Sequence, residues 1–172
     1  LIDKGFYEVI SFPFSHKEDA KSIEIDNPLD SNKAFLRRNL RTSLIEKLSF
    51  NEKRQKDSIK LFEISNIYSI DSDIVEDEVL GIIVSGRQEK NYKFFDKIID
   101  FNFLEEIIKQ ISPKNVQRIE EVSRETIDSK AKFPIFYFEV STKEIKTMLS
   151  NYDFKSKIRF HNIKYEEISE FP

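Results

Sequence analysis

The 172 residues contain no cysteine, which removes disulfides, thiolate nucleophiles and cysteine-ligated metals together and fits a reducing compartment. Glycine is nearly as scarce. Of the three present, Gly81 and Gly86 are not spaced like a phosphate loop or a dinucleotide fingerprint, which excludes nucleotide binding by that route. The two histidines, His16 and His161, stand far apart in polar contexts and leave little material for a metal cage or a Ser-His-Asp triad. Both read as surface residues. No apolar run approaches the roughly 20 residues that span a bilayer, and no signal peptide opens the chain, so the expectation is a soluble, cytoplasmic protein without membrane contact. An excess of one sign of charge is also missing, since 28 basic and 31 acidic residues leave a net charge of -3. An autonomous nucleic-acid binder typically has a domain pI above about 9, so any RNA contact here must be local.

The length suits a single domain, residues 1–172, long enough to bury a core. The run Gly5-Phe-Tyr-Glu-Val-Ile-Ser-Phe-Pro-Phe14 places Phe6, Ile10, Phe12 and Phe14 on one face of an extended chain, with Pro13 marking an edge or strand end. A short strand is expected at Ser22-Ile-Glu-Ile25. From a cap at Asp30 or Ser31, apolar residues Phe35, Leu36, Leu40, Leu44, Ile45 and Leu48 recur at steps of three and four and predict one helix. On that helix Arg37 shares the face of Leu40, Leu44 and Leu48.

A polar loop, Asn51 to Asp57, precedes a strand from Ser58 to Ser65 whose one row reads Ile59, Leu61, Glu63. Arg37 and Glu63 thus each interrupt an apolar row. A buried charge is costly unless paired and hydrogen-bonded, so the two are expected to answer one another or a partner subunit across the helix-sheet interface. The alternative is that Arg37 sits in a frayed first turn and reaches solvent.

The acidic stretch Asp71 to Glu78 reads as a solvated turn before Val79-Leu-Gly-Ile-Ile-Val84, which is apolar on both faces and so predicted to be a central strand. Its carboxylates Glu76, Asp77 and Glu78 are adjacent and do not converge on one reacting atom. Asp100 precedes a helix with Phe103, Leu104, Ile107, Ile108 and Ile111 inward, stopped by Pro113. A strand at Ile135–Val140 runs into Ser141-Thr-Lys-Glu144, a capping-box spacing for a short helix through Leu149. The predicted class is α+β (mixed α/β): a mainly antiparallel sheet flanked by helices. Two basic groups remain, Arg37, Arg38 and Arg41, and Lys53, Arg54 and Lys56 beside Phe50 and Asn51. They read either as a local RNA patch or as an ordinary helix edge and polar loop.

The order of segments carries a resemblance. Gly5-Phe-Tyr-Glu-Val9, Asn27-Pro-Leu29, Leu36-Arg-Arg-Asn-Leu40, Asn51-Glu-Lys-Arg54 and Leu61-Phe-Glu-Ile-Ser65 follow one another at about the spacing of the motifs in the synthetase-like core of the bacterial phenylalanyl-tRNA synthetase beta subunit. The chain resembles that family, clearly to Ser65 and more loosely through Phe95-Asp-Lys-Ile-Ile-Asp100, Phe138-Glu-Val140 and Ile158 to Pro172. Counting back from Asn51 carries the family's motif arginine to Arg37, with Arg41 as its rival. Ser65 and Ile99 stand where the family has glycine, and its His-Pro-Gly element is missing before Phe133.

The resemblance implies a class II synthetase-like fold, a fragment of a longer beta subunit, and assembly with the alpha subunit for phenylalanylation of tRNA(Phe). It implies a domain that is itself catalytically inactive: no cofactor on this chain, ATP and magnesium for the whole enzyme, and amino-acid activation on alpha. The expected structural or interface residues are Arg37, Glu63, Asn27, Pro28, Asn51 and Arg54. A Phe-Arg-x-Glu arrangement, which would hold ATP phosphates, is absent from Leu61-Phe-Glu63. Two other readings stay open, a stand-alone RNA-binding paralogue and an active enzyme on the same fold.

Overall fold

The structure is a computed structural model that describes residues 1–16, 19–89, 96–127 and 130–150. His161, Phe95 and the segment from Ile158 to Pro172 lie outside the described residues. The elements are β1 (Tyr7–Glu8), β2 (Phe14–Ser15), β3 (Phe35–Leu36), α1 (Arg41–Lys53), β4 (Ser58–Ile70), β5 (Ile74–Gly86), α2 (Phe101–Ile111), β6 (Glu120–Glu121), β7 (Ile135–Ser141) and α3 (Thr142–Ser150). Five strands form one sheet in the order β1-β4-β5-β7-β6, with β1 parallel to β4 and the other pairs antiparallel. β2 and β3 form a separate two-stranded sheet. The α+β class read from the sequence is the class observed.

Residues 79–84 of β5 lie between β4 and β7, which accounts for their unbroken apolar character. Leu80, Ile82 and Val84 face Phe136, Phe138 and, from α2, Leu104, Ile107 and Ile108. On the other face Val79 and Ile83 meet Ile59, Leu61, Leu40 just before α1 and, from α1, Leu44 and Leu48, all three leucines of this row fully buried. Burial of each such leucine stabilises the fold by about 1.5–3 kcal/mol. Gly81 sits under α1, where a Cβ would come within 2.9 Å of Leu44 and 3.0 Å of Leu40, so the missing side chain sets how closely the helix approaches the sheet. Asp100 caps α2 by accepting from the Phe103 N–H, as its position before that helix predicts.

Several expectations are corrected. The single helix from Asp30 through Leu48 is divided: Asp30 caps only a 3-10 turn at Ser31–Lys33, Phe35 and Leu36 pair with Ser15 and Phe14, and α1 begins at Arg41. Strand pairing at 35–36 has overridden the helical spacing of the apolar residues. Arg37 therefore leaves the helix and lies in the extended segment leading to it. The loop predicted from Asn51 is helical through Lys53, and the predicted turn at 71–78 is confined to residues 71–73. Cross-strand pairing with Asn66–Tyr68 holds Glu76, Asp77 and Glu78 in β5. The N-terminal run does not present one buried face: Phe6 is in the core, but Ile10 and Phe12 are 88% and 81% exposed, because β1 ends at Glu8. At Ser141 the hydroxyl accepts from Lys143 N–H, while Glu144 turns to Asn115 and Arg118 instead of closing the capping box. Among the described residues no helix is long and apolar enough to cross a membrane.

Candidate assembly site around Arg37 and Glu63

The outer edge of β4 explains where Arg37 sits. β1 covers Leu61 and Phe62, and Val9 N–H donates to the Phe62 carbonyl, but the chain then turns away from the edge. Four residues further on, Arg37 Nε donates to the Asn66 carbonyl at 2.9 Å, and Arg37's own carbonyl accepts from Tyr68 N–H at 2.9 Å. One residue thus serves as the missing neighbour of a sheet edge, with its guanidinium doing what a strand's N–H would do.

The rest of the guanidinium faces inward. Nη1 donates to Glu63 Oε1 at 3.0 Å and to Ser11 Oγ at 2.7 Å, and Nη2 donates to Ser65 Oγ. Ser11 in turn donates from its backbone and hydroxyl to the Glu63 carboxylate. Arg37 and Glu63 are each 2% exposed. Each charge has its opposite beside it and most donors and acceptors engaged, the conditions under which a buried ion pair persists. Arg37 N–H donates to the Pro13 carbonyl, so the cluster joins the N-terminal run, the segment before α1 and the edge of β4.

The six residues read from the sequence fall in three places. Arg37 and Glu63 meet. Asn27 and Pro28 lie on the neighbouring surface, where Asn27 adopts φ 55, a left-handed conformation asparagine tolerates, and Pro28 lines an apolar groove of about 330 Å³ with Phe12, Phe14, Ile25 and Leu29. Leu29 and Phe12 are almost wholly exposed there. Asn51 and Arg54 are elsewhere, at the far end of α1: Asn51 donates to the Lys47 carbonyl, and Arg54 lies over the Phe50 ring at 3.4 Å. Arg41, the rival for the motif position, is at the surface with Glu120 at 2.7 Å.

Two constellations escaped the sequence reading. Glu52 continues the row Leu40, Leu44, Leu48 at a step of four, and its carboxylate accepts from Arg124 at 2.8 Å, while Arg124 also donates to Ser85 Oγ and the Phe133 carbonyl. The interrupted apolar row that marked Arg37 was the available signal for Glu52. Glu139 accepts from Leu40 N–H at 2.7 Å at the start of α1 and from Tyr137 O–H at 2.5 Å. Burial, reinforced by Glu139, pushes the Tyr137 hydroxyl well above its ordinary value.

A mainly antiparallel sheet covered by helices on both faces, with a long central hairpin, is a synthetase-like fold. The structure is similar to PylSc of Desulfitobacterium hafniense, a pyrrolysyl tRNA synthetase, with a TM-score of 0.50 and 13% identity over 87% of this chain and 64% of that one. The sequence narrows the class: residues 1–144 match the phenylalanyl tRNA synthetase beta chain CLM domain, and the chain belongs to that family. Relatives include the phenylalanine–tRNA ligase beta subunits of Psychrobacter arcticus, 29% identical over 67% of this chain, and Fusobacterium nucleatum, 36% identical over 60%. The chain spans 16% and 14% of those two proteins.

Proposed function

We propose that residues 1–172 form one domain of a phenylalanine–tRNA ligase beta subunit, that it does no catalysis itself, and that it holds the alpha subunit in a cytoplasmic enzyme acting on tRNA(Phe). The observation that carries the assembly role is the apolar surface of Phe12, Phe14 and Leu29, beside the groove at Pro28 and in front of the Arg37–Glu63 cluster. Exposed apolar side chains grouped in this way are characteristic of protein–protein contact surfaces. The cluster behind them is internally satisfied, and so supplies a rigid support that need not reorganise when a partner binds.

The absence of catalysis rests on the fit of the residues to ATP and magnesium. Two residues before Glu63 the chain has Leu61, packed in the core, where a phosphate-holding arginine is required, and Glu63 itself is taken by Arg37 and Ser11. Among the described residues no three His, Cys, Asp or Glu side chains group to hold a metal ion. The leucines of α1 and the apolar face of α2 cover the two faces of the sheet. Among the described residues no side chains fit ATP and magnesium, and in this reading both belong to the alpha subunit.

The test uses the full-length beta subunit carrying this sequence, mixed with its alpha subunit and followed by sedimentation velocity. Replacing Phe12 and Leu29 together by Asp is expected to weaken association about tenfold or more, as truncating central apolar contacts does, with the circular dichroism unchanged because both side chains are already in water. Undiminished association would overturn the proposal.

A further inference from the structure

We propose that the open edge of β5 at residues 74–78 is completed by a further strand from the same chain, residues 155–161, which follow α3 in sequence. β4 accompanies β5 along its whole length, but β7 pairs with it only from Val79 to Ser85. At the pair Val79 and Ser141 the ladder stops, and Thr142 opens α3. The bonds on the far side of β4 show which way the remaining residues point. Tyr68 and Ile70 turn their N–H groups, and Asn66 its carbonyl, away from β5, to Arg37 and Lys21. Their opposites across the antiparallel ladder, Glu76, Ile74 and Glu78, therefore turn theirs away from β4 as well. Glu78 N–H is taken by the Asp77 carboxylate. Among the described residues the N–H and C=O groups of Glu76 and Ile74 meet no partner on that side.

Such an edge is a template for another strand. Charged side chains often blunt sheet edges, so Glu76, Asp77 and Glu78 alone carry nothing. The aliphatic side chains between them do the reverse: Ile74 is 69% and Val75 45% exposed, one on each face of the hairpin.

Residues 155–161 carry the complementary pattern. Lys155, Lys157, Arg159 and His161 alternate with Ser156, Ile158 and Phe160, and no acidic residue stands between Lys155 and Lys164. A period of two is the period of a strand. Laid along 74–78 with its basic row on the face of Glu76 and Glu78, the segment sets Ile158 and Phe160 on the face of Val75. Lys146 and Thr142 already answer Glu78, and Lys143 answers Asp77. Glu76 bonds only the Asn66 amide, and Arg159 supplies the cation across the ladder.

The chain can reach. The contacts of Thr142, Lys143 and Lys146 hold the start of α3 against this edge, and its nine residues carry the chain only about 13 Å away. Past Ser150 the chain lies outside the described residues, and the seven residues from there to Lys157 can span up to about 23 Å, enough to return.

The proposal does not rest on the assembly role. Its test is amide hydrogen exchange, read by mass spectrometry on the full-length protein carrying this sequence, without tRNA, both alone and with the alpha subunit. The Ile74 and Glu76 amides are expected to exchange at least about tenfold more slowly than in a variant carrying Ile158→Pro and Phe160→Pro, since proline is excluded from a paired strand interior. Arg159→Glu is expected to speed the same amides, and Glu76→Lys in that background to slow them again, a rescue that misfolding would not give. Residues 79–84, inside the sheet, should stay protected throughout. Fast exchange in the wild type, protection that survives the prolines, or an Arg159→Glu variant that has no effect or is not rescued would each overturn the proposal. Protection seen only with alpha present would assign the edge to alpha and overturn it equally.

Discussion

Two arginine–glutamate pairs lie under the surface of this domain, and they are built differently. Arg37 and Glu63 are closed in by Ser11, Ser65 and the backbone of β4, with side chains 3% and 2% exposed. In the second pair Glu52 is equally buried but the Arg124 side chain keeps 24% of its surface in contact with solvent. A pair sealed on both sides has no route to water when one member is removed. A pair with one wet partner keeps an exit, so the same chemistry carries a different penalty in the two places.

The comparison is broken most severely at Arg37. Replacing it by Met leaves Glu63 charged, buried and without its cation, and also frees the Asn66 carbonyl on the sheet edge. A loss of about 3–5 kcal/mol in denaturant unfolding is expected. Arg37→Met with Glu63→Leu should recover a large part of that loss, and a double variant no more stable than the single one would show that the stranded charge is not its source. At the second pair, Arg124→Met should cost less, about 1–3 kcal/mol, the range for leaving a buried acceptor unsatisfied. Equal losses at the two sites would remove the distinction drawn from exposure.

The smallest effect sharpens the comparison with a third buried charge. The Lys60 ammonium donates to the Lys4 and Gln88 carbonyls and lies near the Phe6 and Phe103 rings, with no carboxylate in hydrogen-bond contact among the described residues. Burial holds its pKa below 10.5, with Glu89 opposing that shift. A lowered folded-state value means the unfolded chain keeps the proton longer, so the penalty of burying the charge is full below the folded-state pKa. It is relieved as pH rises from that value toward 10.5, and stability should climb over that window. Lys60→Met should abolish that climb, as read from urea midpoints at a series of pH values. An unchanged slope would mean that Lys60 is not its source.

Much of the sheet was legible, because its signals are local. The apolar run at 79–84, the alternation at Ile59, Leu61 and Glu63, and Asp100 ahead of its helix each state a periodicity or a cap that a few neighbouring residues satisfy on their own. The misreadings share a cause. Phe35 and Leu36 continue the spacing of α1, yet they pair with Phe14 and Ser15 some twenty residues earlier, a contact no window of local sequence contains. At Asp71 to Glu78 composition pointed to a turn, but the register with Asn66 to Tyr68 extends the hairpin through it.

The candidate site divides in the same way. That Arg37 and Glu63 require partners followed from their positions in apolar rows, since charge burial has the same cost wherever the chain runs. That they answer one another was one of the two partnerships read from the sequence; that Ser11 would bridge them and that Arg37 would complete the edge of β4 are facts of the tertiary structure. They depend on three segments, 11–13, 37 and 63–68, brought together by the sheet. By itself the sequence determined which residues must be buried and which charges had to be answered, because those are properties of each side chain in water. The tertiary structure alone decided what answered them, because a partner is chosen by proximity in space.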